Sequence, residues 1–256
     1  MLNSSSEDSV PSFTLTLVRH GETEANVFGL IQGQGVDSSL NKRGKKQSGK
    51  IKSFLSSEIF DLVYSSDLKR AKQTCEIILE QSDSPNEHQA GSKLSSEKII
   101  YDKRLRERCF GVMEGRYYHE MDNVAFPSDR SAENNLPDGA ESIKELEARA
   151  FSFFKDLCEH VYNSFTLTDN KTSPSTVNIL IVSHGGLLAS LSNVFAEKFH
   201  CSYPRGVHPA QISVNTARSK FTVMFKDCTF AKNKKFNLKS IGMECNVLND
   251  SSHLYN

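Results

Sequence analysis

Leu15-Thr16-Leu17-Val18-Arg19-His20-Gly21-Glu22-Thr23-Glu24-Ala25-Asn26 is the stretch whose reading decides the fold. An alternating apolar run stops on an arginine and a histidine, then turns on a glycine. A strand that ends this way holds a cation and a nucleophile at the carboxyl edge of a sheet, where open α/β sheets bind ligands. The device recurs at Val177-Asn178-Ile179-Leu180-Ile181-Val182-Ser183-His184-Gly185-Gly186. Two strands that each deliver a histidine to one rim point to a single site.

Working outward, the pattern predicts strands over 13–18, 60–64, 98–101 and 177–182, the last a β-branched run suited to a central strand. Late strands are expected over 212–217, 221–225 and 236–241, the first two as a hairpin. A short helix is expected over 23–31, followed by a glycine-rich loop. Further helices are expected over 41–57 with Ile51, Phe54 and Leu55 on one face, over 68–79, and over 187–200. The helix over 141–165 carries Ile143, Leu146, Ala150, Phe153, Phe154, Leu157 and Val161 as an apolar stripe. Asp67 is expected to cap the helix that begins at Leu68. Alternating strands and helices imply an α/β fold, a three-layer α/β/α arrangement around a mostly parallel central sheet. Residues 1–11 read as an unstructured terminus, and 12–256 as one domain with a partly helical insertion near 115–140.

The chain has 256 residues, 38% of them hydrophobic, which suits one large domain. Its 31 basic and 31 acidic side chains cancel, unlike the lopsided charge of proteins that bind nucleic acid or membrane surfaces. No stretch reaches the roughly 18 apolar residues of a membrane span. Six scattered cysteines without a Cys-x-x-Cys pair, behind a polar N-terminus, predict free thiols in a reducing compartment. No metal-ligand cluster is spaced for a cation, so no metal or other cofactor is expected.

The chemistry follows from residue types. A neutral imidazole is a good nucleophile toward phosphorus, and a carbonyl in the tight Gly21 turn is a natural partner for the other ring nitrogen of His20. Arg19 lies beside the incoming anion. Arg70, in the first turn of its helix, adds a planar fork matched to phosphate oxygens. His184 can hold oxygens of a transferring phosphoryl group, and Gly185 lets backbone approach the ligand. Protonating a leaving oxygen needs an acid. Glu107 is the candidate, helped by burial or by the incoming phosphate, with Glu120 as fallback. Lys103, Arg104, Arg106, Arg108 and Arg116 crowd one stretch, which suggests either a ligand with more than one phosphate or a solvated basic loop. Gly44-Lys45-Lys46-Gln47-Ser48-Gly49-Lys50 mimics a P-loop, but Ile51 stands where Ser or Thr should follow and no strand precedes it, so it reads as the basic face of a helix.

Four blocks in order resemble the histidine phosphatase superfamily, also called phosphoglycerate mutase-like. They are Leu17–Thr23 with Asn26; Ser66-Asp67-Leu68 with Arg70-Ala71 and Gln73-Thr74; Arg106-Glu107-Arg108 with Phe110-Gly111 and Glu114-Gly115; and Ser183-His184-Gly185-Gly186. The resemblance implies that His20 is phosphorylated, that Arg19, Arg70 and His184 complete the phosphate pocket, and that Glu107 donates the proton. Asn26 and Thr23 match positions that touch phosphate or substrate, with Gln32 and Gly33 as further candidates. The run Ile31-Gln32-Gly33-Gln34-Gly35-Val36-Asp37, with Leu40 and Arg104–Arg108, is most similar to the fructose-2,6-bisphosphatase-like members that lack a kinase domain. That implies removal of the 2-phosphate to give fructose 6-phosphate, and a cytoplasmic enzyme, with nucleus and mitochondrion open by resemblance only. Other readings are a phosphatase of 2,3-bisphosphoglycerate or phosphoenolpyruvate, a phosphoglycerate mutase (disfavoured because no Gly-Gly-Leu-Gln run follows Glu107), or a low-turnover phospho-ligand-binding scaffold. Pro137-Asp138-Gly139-Ala140-Glu141-Ser142 carries one residue more than the family's usual run. The partner is a small phosphorylated sugar or glycerate. The oligomeric state stays open, a monomer included.

Overall fold

The computed structural model describes residues 10–80, 98–123, 136–167, 176–226 and 236–255. Its core is a six-stranded sheet. The strands are β1 (Ser12–Arg19), β2 (Leu62–Ser65), β3 (Ile99–Tyr101), β4 (Thr176–Ser183), β5 (Arg218–Phe225) and β6 (Ile241–Asp250), ordered β3-β2-β4-β1-β5-β6. β3, β2, β4 and β1 run parallel, and β5 runs antiparallel to both β1 and β6. The helices are α1 (Glu24–Val27), α2 (Lys42–Phe54), α3 (Lys69–Leu79), α4 (Ile143–Leu167) and α5 (Gly185–Phe199).

Strand alternation sorts side chains into two cores. Phe13, Leu15 and Leu17 of β1 and Val177, Ile179 and Ile181 of β4 join the α4 stripe and α5. Val18, Leu180 and Val182 face the other way, onto Ile51 and Leu55 of α2 and Ala71, Cys75 and Ile78 of α3. The result is the three-layer α/β/α arrangement. Phe54 departs from the expected α2 face: it is 37% exposed and lies under the Arg218 guanidinium, 4.4 Å from its ring centre.

The register fixes where the site forms. Arg19 pairs with Ser183, and Ser65 pairs with both Val182 and Tyr101. All four parallel strands therefore end at one edge. Backbone bonds continue one residue further, from His20 N to Ser183 O and from Ser66 N to Val182 O. Gly21 and Gly44 let α2 reach this edge: a Cβ on Gly21 would stand 2.6 Å from Gly44 O, and one on Gly44 would stand 2.1 Å from Glu22 O.

The late part of the chain differs from the sequence reading. Residues 212–217 form a loop and not a strand, because Ile212 and Val214 lie exposed at the edge of the sheet. The hairpin is β5 with β6, and Leu238–Ser240 is a single 3-10 turn that leads into β6. The short helix expected over 23–31 shrinks to α1, closed by a capping box between Thr23 and Asn26. Asp67 does not cap α3. That role falls to Asp37, whose Oδ1 accepts from Lys69 N at 2.7 Å, while Asp67 pairs with Arg106. Residues 1–9 of the expected unstructured terminus and part of the 115–140 insertion lie outside the described residues, while Pro11 O accepts from Phe225 N at 2.9 Å. Among the described residues no helix is long and apolar enough to cross a membrane.

Candidate active site

A cavity of about 850 Å³ opens at the carboxyl edge of the sheet. Arg19, His20 and Arg70 line it, with Glu107 and Arg108 further along the wall. His20 follows the last residue of β1 and is only 2% exposed. Its Nδ1 lies 2.7 Å from Gly21 O, a carbonyl that can only accept. Nδ1 therefore carries the proton, and the lone pair of the neutral ring sits on Nε2. Burial, then the guanidinium groups of Arg70 and Arg19, hold His20 well below the ordinary histidine value, against a weaker opposite pull from the Gly21 bond. The ring is thus neutral and nucleophilic at neutral pH.

His184 caps the start of α5 directly after β4, and its ring centre is 5.2 Å from that of His20. It is fully buried, and its Nε2 meets Ser66 Oγ at 2.8 Å. Ser66 Oγ also accepts from Leu68 N, so the hydroxyl is fixed in place beside the ring. The other ring nitrogen, Nδ1, is buried and has no protein partner. Burial, then Arg70, keeps His184 well below the ordinary value as well.

The two arginines are held by backbone carbonyls. Arg70 is 1% exposed; its Nη2 donates to Gly33 O at 2.8 Å and its Nη1 to Val36 O at 3.2 Å. Arg19 Nη1 donates to Ser213 O. The Nε of each is buried without a protein partner. Burial lowers both from the usual arginine value, yet a guanidinium stays charged throughout the physiological range. Two cations with unspent donors beside a neutral nucleophile form a receptor for a tetrahedral dianion.

Glu107 stands at the N-terminus of α5. Its Oε2 accepts from Gly186 N at 3.0 Å, and its Oε1 accepts from Leu187 N at 3.1 Å and Arg108 N at 2.9 Å. The carboxylate occupies donors that a helix start leaves orphaned. A Cβ on Gly186 would lie 2.5 Å from Glu107 Oε1, so glycine is what admits the carboxylate here.

The remaining candidates divide. Asn26, Gln32, Gly33 and Gly185 line the cavity. Thr23 does not: it is fully buried, capping α1 and donating from Oγ1 to Gln32 Oε1. Glu120 accepts from Tyr117 N and pairs with Arg116 at 3.8 Å; neither residue lines the cavity. Arg106 forks onto Asp67, with both contacts at 2.6 Å, and Arg104 pairs with Asp102 and Asp156. Of the basic run only Arg108 reaches the cavity. Among the described residues no group of three or more His, Cys, Asp or Glu side chains could hold a metal ion.

Several supporting residues escaped the sequence reading. Ser66 fixes the His184 ring. Arg149, paired with Glu141, donates to the carbonyls of Arg104, Arg106 and Glu107 and so holds the loop that carries Glu107. Tyr118 lines the cavity, its phenol pushed above its usual value by burial and then by Glu107. Ser66 stands in the second matching block but its role shows only in the fold, while nothing in a linear pattern marks Arg149, which acts across more than 40 positions, or Tyr118, in an irregular turn.

A histidine pair and an arginine pair at the edge of a parallel sheet define a histidine phosphatase. The match is direct: the model of the histidine phosphatase superfamily, branch 1, covers residues 15–222, and the chain belongs to that family. The chain is 31% identical to the fructose-2,6-bisphosphatase TIGAR of Xenopus tropicalis, over 94% of each protein. It is also similar to a mycobacterial glucosyl-3-phosphoglycerate phosphatase solved with VO3, at 25% identity and a TM-score of 0.63, covering 93% of this chain and all of that one. The fold alone is shared with phosphoglycerate mutase from Bacillus anthracis, at 20% identity and a TM-score of 0.66 over 96% and 97% of the two chains. The protein is a phosphoric monoester hydrolase acting on small phosphorylated substrates.

Proposed function

We propose that this enzyme removes the 2-phosphate of fructose 2,6-bisphosphate, giving fructose 6-phosphate and inorganic phosphate, and so lowers glycolytic flux. The observation that carries the catalytic part is the His20 Nδ1 contact with Gly21 O, which aims an unprotonated Nε2 at a cavity flanked by Arg19 and Arg70. In the first step the Nε2 lone pair forms a bond to phosphorus and the bond from phosphorus to the C2 oxygen breaks. Arg19, Arg70 and His184 stabilise the equatorial oxygens, and Glu107, which takes up a proton as the anionic phosphate binds, gives that proton to the leaving oxygen. In the second step water attacks the phosphohistidine. Glu107 takes the water proton, phosphate leaves and neutral His20 returns.

The sugar bisphosphate is supported by similarity to the fructose-2,6-bisphosphatase relative, and by Arg108 as a third guanidinium on the cavity wall. A second reading, a broader phosphatase that also takes 2,3-bisphosphoglycerate or phosphoenolpyruvate, is favoured by the apolar wall of Ile143, Leu146, Ala189 and Ile212. Measuring kcat/KM for all three compounds separates the readings. The first expects fructose 2,6-bisphosphate to lead by at least about tenfold, a difference of about 1.4 kcal/mol in transition-state binding. Equal values would favour the second. The proposal places the enzyme in the cytoplasm, where free cysteines persist.

A further inference from the structure

The loop that follows Gly206 and ends at β5 is bonded to the catalytic turn at six points, one of them Arg19 N to Ala217 O at 3.2 Å. Ser213 O accepts from Arg19 Nη1. Asn215 Nδ2 donates to His20 O at 3.0 Å and to Asn26 Oδ1 at 3.3 Å. Thr216 N is shared between Arg19 O at 3.1 Å and His20 O at 3.3 Å. This loop fixes the backbone on which Arg19 and His20 sit.

Thr216 is the unusual member. Its φ is +59°, a left-handed conformation that a β-branched residue rarely adopts. It is fully buried. Its side chain makes one bond that holds it there: Thr216 Oγ1 lies 3.1 Å from Nε2 of His253, 37 residues later. His253 is 3% exposed and occupies the turn Ser252–Leu254 beyond β6, and it does not line the cavity. That turn is itself anchored. Lys50 Nζ donates to Leu254 O at 2.9 Å, Asp250 Oδ1 accepts from Ser252 N, and Phe54 packs 5.8 Å from the His253 ring. The buried Nδ1 of His253 meets no protein acceptor or donor, so Thr216 is the polar partner of the ring.

We infer that His253 is a positioning residue for phosphoryl transfer: through Thr216 it holds the main chain of Arg19 and His20 in the attacking geometry. The chain of contact runs from the ring, through one hydroxyl and one strained residue, to the two carbonyls that flank the nucleophile. His253 touches neither the cavity nor any reacting atom. This inference rests on the reading of His20 as the phosphoryl acceptor.

The test compares Thr216→Val, His253→Ala, the double variant and His253→Gln, whose side-chain nitrogen approximates the reach of Nε2. Valine keeps the shape and β-branching of Thr216 and deletes only the hydroxyl. Rapid-quench rates of phosphoenzyme formation from fructose 2,6-bisphosphate should fall about three- to tenfold in each single variant, the effect of one lost hydrogen bond, with KM changed less than about twofold. The double variant should be no slower than the worse single one, because both remove the same link. His253→Gln should recover most of the rate. The NMR signal of the His20 Nδ1 proton reads the same geometry without turnover and should move in Thr216→Val and His253→Ala and return in His253→Gln. A wild-type enzyme that forms no phosphoenzyme would overturn the role of His20, while that signal would still decide the role of His253. The inference is overturned if the His20 signal is unmoved in both single variants, if their rates match the wild type, or if the two losses multiply.

Discussion

Replacing Arg70 by Met separates what this residue does for the fold from what it does for the reaction. Arg70 is a cation with almost no solvent contact, close enough to Arg19 for the two charges to disfavour each other. Its guanidinium returns two hydrogen bonds, to Gly33 O and Val36 O, each worth about 1.5–3 kcal/mol as a charged donor. Against them stands the cost of keeping a charge out of water, several kcal/mol on the general scale of buried ions. Met fills the same volume and removes both terms. Stability should therefore move by no more than about 2 kcal/mol, or roughly 4–8 °C in Tm for a chain of this size. Function should not be spared. Loss of a preorganised donor to the transferring group typically lowers kcat by about 10²–10³. Phosphate at 100 times its Kd should raise the wild-type stability by about 2.7 kcal/mol, and that shift should vanish in the variant. Thermal melts with and without phosphate or vanadate, beside kcat/KM, give both numbers. A variant that keeps the phosphate-induced shift, or retains activity within about tenfold, would refute the argument that Arg70 holds the anion.

Two further outcomes follow from the same site. Glu107→Gln keeps an oxygen for the backbone donors of α5 but cannot give up a proton. It should slow esters of poor leaving groups by about 10²–10⁴ while leaving p-nitrophenyl phosphate, whose phenolate departs unprotonated, far less affected; equal losses on both would remove Glu107 as the acid. His20, His184 and His253 all sit below the ordinary histidine value of 6.5, chiefly through burial. Below that pH the unfolded chain binds more protons than the native one, so stability is complete above about pH 6.5 and falls as pH drops, by up to about 1.4 kcal/mol per pH unit for each ring until that ring's own lowered value is reached. Urea unfolding at pH 7.5 and 5.5 measures this, and a flat profile would show that the rings are not held neutral.

Much of this architecture is legible in the chain. The alternation of β1 and the β-branched run of β4 carry their own periodicity, and each ends on its histidine. The α4 stripe is equally direct. What the chain hides is set by contacts between distant segments. Asp67 reads as a helix cap, yet Arg106 claims it and Asp37 supplies the cap from 32 positions away. The basic run from Lys103 to Arg116 reads as a polyanion site, but Arg104, Arg106 and Arg116 each meet a carboxylate, Asp156 and Asp67 from far along the chain and Asp102 and Glu120 from nearby. The alternation of Ile212 and Val214 mimics a strand, while the true edge strand β6 ends in Asn246–Asp250, a composition that suggests a turn. Thr23 sits in the catalytic block but serves to orient Asn26 and Gln32.

The central claim is that phosphate passes through the Nε2 atom of His20. Acid-labile, alkali-stable label from 2-[32P]fructose 2,6-bisphosphate, trapped within one turnover and mapped by peptide, should appear on His20 and be absent from His20→Ala. Label on another residue, or an unlabelled wild-type enzyme during active turnover, would contradict it.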